Sequence, residues 1–116
     1  MKSYKIIYAN HFGNSCLLLE SLNQKIVYLE FNQLILSVET QELNSFIKST
    51  QEIINLHSNC KCPRDFKNKM IVYKGNQMEI KMVLSYNQLL QLIDLLKGTV
   101  FKISMDDILK SYRIKN

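Results

Sequence analysis

The sequence predicts an α+β fold: a mostly antiparallel sheet built from two ββα-like repeats, helices packed on one face, and a short C-terminal helix. Three observations predict it. Short β-branched and aromatic runs are separated by turn residues. Two longer stretches carry apolar residues at helical spacing. The order strand, turn, strand, helix occurs twice.

The elements follow in order. Residues 4–9 (YKIIYA) read as a strand, and residues 10–14 (NHFGN) as a turn. Residues 16–20 are a second short, largely apolar run, closed by a turn over 21–24. Residues 25–31 (KIVYLEF) and 34–38 (LILSV) read as strands joined by Asn32-Gln33, with Leu34, Leu36 and Val38 on one face. Thr40 is the expected N-cap of a helix, followed by Gln41 and Glu42 where negative charge suits the helix dipole. Leu43, Phe46, Ile47, Ile54 and His57 form its stripe, with Thr50 in the gap, and the helix should fade near Ser58-Asn59. Residues 60–68 make the longest polar connection, and Pro63 sits inside it. Residues 70–74 (MIVYK) and 78–84 (MEIKMVL) then read as a hairpin around Gly75-Asn76-Gln77. Ser85 and Gln88 form a capping box before a helix whose stripe is Leu89, Leu92, Ile93 and Leu96. Gly98 is the expected C′ residue of that helix. Ser104 or Asp106 then opens a last short helix through Ile108, Leu109 and Tyr112.

Size and composition set the frame. A chain of 116 residues with 47% hydrophobic residues fits one domain, 1–116, with one core. No apolar run reaches the roughly 18 residues of a membrane span. The basic start lacks an apolar h-region, so no signal peptide is expected. An odd count of three cysteines then points to a reducing cytoplasm. With three glycines, neither a dinucleotide fingerprint nor a P-loop can be written. Thirteen lysines against two arginines, with many Ile and Asn, suggest AT-rich coding. Charge is uneven: residues 1–58 carry a net −1 and residues 59–116 a net +6.

The two halves, 25–58 and 69–98, can be aligned. Ile26-Val27-Tyr28 matches Ile71-Val72-Tyr73. Leu34, Leu36 and Val38 match Ile80, Met82 and Leu84, and Phe46-Ile47 matches Leu92-Ile93. A ββα unit alone cannot bury both its sheet face and its helix stripe, so two units are expected to join their strands in one sheet.

The segments LILSVETQELNSFI and MVLSYNQLLQLIDLL, each a strand followed by a polar cap and an apolar helix, carry a resemblance. Over residues 4–110 the chain resembles an uncharacterised family of small Bacteroidota proteins, a domain of unknown function of the DUF6686 type. HFGNSCLLL corresponds to that family's early strand region, where Cys16 stands alone in place of a close cysteine pair. The resemblance implies a bacterial cytoplasmic protein and supplies no activity.

The candidate chemistry is sparse. His57, Cys60 and Cys62 are ligand types for zinc, with His11 or Cys16 as a fourth ligand. A spacing of one residue between the cysteines is unusual for zinc, and Lys61 beside them would favour the thiolate. Incidental thiols and no cofactor are the expectation. A Cys16–His11 pair lacks an orienting third group, and Asp106-Asp107 reads as a helix cap. No enzyme is expected, and no small-molecule substrate or membrane partner.

Two binding readings remain. Lys61, Arg64, Lys67, Lys69 and Lys74, with Phe66 and Tyr73 beside them, form a basic segment suited to charge-driven RNA or ribosome association. Tyr4, Tyr8 and Tyr28 alternate on the sheet and add stacking surfaces. Scarce arginine argues against specific base reading. The favoured reading is a protein-interaction module or homodimer. Tyr86, Leu90, Leu95 and Tyr112 exceed what one helix stripe buries, so they are expected to meet a partner unless the last helix covers them. Residues 16–19 offer an edge for strand pairing. An adaptor or inhibitor encoded by a phage or plasmid would share these features.

Overall fold

A computed structural model describes residues 4–18, 26–58, 69–74 and 79–115. The chain runs β1 (Tyr4–Ala9), β2 (Gly13–Leu18), β3 (Ile26–Phe31), β4 (Leu34–Glu39), a 3₁₀ turn (Thr40–Glu42), α1 (Leu43–Ser58), β5 (Lys69–Lys74), β6 (Glu79–Leu84) and α2 (Tyr86–Lys115). This is the expected α+β class: a four-stranded antiparallel sheet in the order β1-β2-β3-β4, with helices packed on it.

Local chemistry accounts for the hairpins. The Asn10 side-chain oxygen accepts from the Phe12 and Gly13 N–H groups at 2.9 and 3.2 Å, an Asx turn that closes β1 onto β2. Gly13 permits the next strand to approach, because a Cβ there would collide with the Glu30 carbonyl oxygen. Asn32 and Gln33 both have positive φ, 50° and 64°, as a two-residue hairpin turn demands. Between Ile6 and Tyr8 the β1–β2 register shifts. Tyr4 and Ile6 stay on the outer face, and Tyr8 turns to the inner one, opposite buried Ser15.

The inner face supplies one wall of the core. Leu17, Val27, Leu29, Phe31 and Val38 alternate into it. Leu43, Phe46, Thr50 and Ile54 of α1 pack there as the predicted stripe, and Thr50 returns its hydroxyl proton to the Phe46 carbonyl at 2.9 Å. Phe46 stacks on Tyr73 of β5, rings 4.7 Å apart and 10° from parallel. Burial pushes the Tyr73 phenol up to about 12.

Helix α2 is central. Leu89, Leu92, Ile93, Leu95, Leu96 and Thr99 are buried, because α2 meets β1, β2, β6 and α1 at once. Its start follows the capping box. Ser85 N–H donates to Gln88 Oε1 at 2.9 Å, and Gln88 N–H donates to Ser85 Oγ at 3.2 Å. Ser85→Ala should therefore cost about 1 kcal/mol in urea denaturation. A loss below the error of that measurement would show the box to be idle.

Four expectations need correction. The two hairpins do not share a sheet: β5-β6 is a separate two-stranded sheet, although the order ββα does occur twice. Thr40 is not an N-cap; it opens the 3₁₀ turn, whose cap Glu39 makes no side-chain capping bond. Gly98 does not end a helix, since α2 runs unbroken for 30 residues and there is no separate C-terminal helix. Gly98 is small for a tertiary reason. A Cβ there would sit 2.5 Å from the Tyr8 ring. Tyr8 donates its hydroxyl to Asp94 one turn earlier at 2.9 Å, and Asn10 Nδ2 reaches the Gln91 carbonyl at 2.8 Å and Asp94 at 2.9 Å. Because α2 is unbroken, Asp106 and Asp107 lie inside it and not at the start of a helix.

Candidate functional site

With α2 on the inner side of β1 and β2, the alternation of each strand leaves a second face outward. Pairing of Ile6 with Cys16, Cys16 with Tyr28, and Tyr28 with Ser37 carries that face across all four strands. Tyr4, Ile6, Ile26 and Ile35 lie on it and are 52%, 61%, 44% and 67% exposed. Large β-branched and aromatic groups suit a strand whichever way they point, which is why the sequence tolerates them there. Burial of both faces of a strand is the usual setting for such a run, and here one face meets solvent.

The centre of this face is shaped. Tyr4 and Tyr28 meet edge to face, centroids 5.6 Å apart and planes at 84°. With Cys16, Glu30 and Ile35 they line a shallow concavity of about 180 Å³. The Cys16 thiol donates to Asn14 Oδ1 at 3.2 Å. Burial, and secondarily the Glu30 charge, raise its pKa above the ordinary thiol value. A thiol held protonated is the reverse of a reactive nucleophile. The Cys16–His11 pairing thus gains no support, and His11 itself is exposed.

His57 lies in the last turn of α1, and Cys60 and Cys62 lie outside the described residues. Among the described residues no group of three or more His, Cys, Asp or Glu is placed to hold a metal ion. Lys61, Arg64, Lys67 and Phe66 also lie outside the described residues, while Lys69 and Lys74 are the first and last residues of β5. Tyr73 is 1% exposed, so it presents no face to a nucleic-acid base. Tyr8 is taken up by its seat on α2, which leaves Tyr4 and Tyr28 of the three sheet tyrosines on the outer face. Leu95 is fully buried and removed from any partner surface; Leu90 is exposed, Tyr86 half-buried, and Tyr112 lies in the last turns of α2. Leu95 is thus accounted for by a helix enclosed on several sides, whereas Leu90 faces solvent.

Sequence reasoning missed Ile6, Ile26 and Ile35. One signal was present: in LILSV the alternation that gives Leu34, Leu36 and Val38 to one face puts a large apolar residue, Ile35, on the other. No helix among the described residues is long and apolar enough to cross a membrane.

The fold and this face define an α+β chain with an uncovered apolar side on an antiparallel sheet. Comparison with protein families, curated proteins and solved structures finds no match to this chain.

Proposed function

We propose that the protein is a non-enzymatic binding module whose partner docks on the outer face of the four-stranded sheet. The observation that carries this reading is the cluster of Tyr4, Ile6, Ile26 and Ile35, four large apolar side chains each more than two-fifths exposed on one continuous surface. Scattered apolar side chains are ordinary on a protein surface, but a contiguous patch centred on two tyrosines has the make-up of an interface core.

A tagged chain recovered from its host, with and without nuclease, tests the reading. A discrete protein, another species or an untagged copy, should survive nuclease. It should be lost when Ile6→Glu and Ile35→Glu are introduced together, because charges on β1 and β4 at opposite sides of the patch remain unpaired on docking. Both positions are more than half exposed, so folding should be retained and circular dichroism should not change. Capture that the double variant leaves intact would sink the reading. Capture lost on nuclease treatment alone would replace it with charge-driven RNA association through the basic 61–74 segment.

A further inference from the structure

Resting on that reading of the outer face, we propose that its occupant is the C-terminal part of α2 from a second copy of this chain, exchanged reciprocally in a two-fold dimer. Three observations carry the proposal. Helix α2 presents large apolar side chains to solvent toward its C-terminal end. Among the described side chains the last one of α2 packed against the core is Ile103, whereas Phe101 and Met105 are 61% and 40% exposed, and the helix continues to Lys115. The molecule is correspondingly long, 55 Å against 31 and 27 Å in its other dimensions.

The chemistry of the two surfaces is complementary. Among the described residues the outer sheet face carries the carboxylates Glu30 and Glu39 and no lysine or arginine. Residues 101–115 read FKISMDDILKSYRIK, with four basic residues against two acidic ones. In that sequence Phe101, Met105, Ile108 and Tyr112 recur at i, i+4, i+7 and i+11, the spacing of one helical stripe.

The dimensions agree as well. A helix over residues 101–115 is about 22 Å long at 1.5 Å per residue. A six-residue strand spans about 20 Å. Four strands about 4.8 Å apart make a platform wide enough for one helix roughly 10 Å across. A helix laid over a sheet is how α+β layers bury an apolar sheet face, and a two-fold axis lets each copy give and receive the same segment.

The test uses the full chain with Cys60→Ser and Cys62→Ser, so that alkylation reports Cys16 on the outer face. Sedimentation equilibrium should give the mass of two chains, with Cys16 alkylation slowed as the dimer forms. Ile108→Glu with Tyr112→Glu should return the mass to one chain and restore the alkylation rate. Glu30→Lys with Glu39→Lys should weaken the dimer, and adding Lys110→Glu and Arg113→Glu to the same chain should recover it. A chain that is monomeric at every concentration overturns the proposal. If capture from the host is then still lost in the Ile6→Glu, Ile35→Glu variant, the outer-face reading stands with a different occupant. A dimer in which Cys16 alkylates as fast as in the monomer overturns the proposal too, and capture from the host then decides the outer-face reading by itself.

Discussion

Phe46→Ala is expected to destabilise the protein by about 3–5 kcal/mol, the usual cost of emptying a buried aromatic site. Phe46 is fully buried and stacked on Tyr73, which is itself 1% exposed. Truncation removes the ring that joins α1 to the β5-β6 hairpin, so the transferred area and the cavity left behind both count against folding. Urea denaturation should show a lower midpoint with an unchanged slope. A second readout separates this contact from general loosening. The Tyr73 phenol is pushed up to about 12 by burial, with Glu42 and Glu39 adding to the rise. Its proton is kept in the folded chain and given up more readily in the unfolded one. The stability that this contributes is whole below the ordinary tyrosine value near 10 and declines as pH climbs from there toward 12. Ultraviolet titration of Phe46→Ala should show one tyrosine ionising at lower pH than in the parent. A variant that keeps both its midpoint and its titration curve would mean that the stack carries no weight.

The second large effect lies at the seam between β2 and α2. Ser15 and Thr99 are both fully buried, their hydroxyl oxygens are 2.6 Å apart, and Thr99 also meets the Leu95 carbonyl at 2.7 Å. Thr99→Val leaves the Ser15 hydroxyl with only a long contact of 3.4 Å to the Tyr8 carbonyl. The stranded polar group should cost about 1–3 kcal/mol. Ser15→Ala leaves Thr99 its carbonyl partner and should cost less, about 1 kcal/mol. The double variant strands nothing, so its loss should fall short of the sum of the singles. Additive losses in urea denaturation would show that the two hydroxyls do not act as a pair.

Much of the secondary structure was legible from short-range chemistry. The strand over residues 4–9 was read to the residue, and Ser85-Gln88 placed the start of α2, because period and capping are written in neighbouring residues. The misreadings have long-range causes. Gly98 follows an apolar helical stripe, where a glycine reads as a stop. Its actual constraint is the ring of Tyr8, some ninety residues away. The register shift after Ile6 that sends Tyr8 inward likewise leaves no mark in YKIIYA, whose alternation would place Tyr4, Ile6 and Tyr8 together. The candidate site was hidden for a related reason. Exposed isoleucines look the same in a sequence as buried ones, and only the arrangement of helices decides which side of β4 is covered. Leu95 shows the converse, since a residue surplus to one stripe is needed once its helix is enclosed on several sides.

The seat of β1 on α2 also orders events in time. Tyr8 with Asp94 and Ser15 with Thr99 join residues 86 and 84 positions apart. Synthesis proceeds from the N-terminus, so the first hairpin emerges long before the helix that receives its inner face exists. Until residues 91–99 have been made, the inner surface of β1 and β2 has only nascent chain and water against it. Closing so long a loop is slow compared with forming the hairpins themselves. The hairpin of β1 and β2, made before α2, is therefore among the last parts to reach its final surroundings.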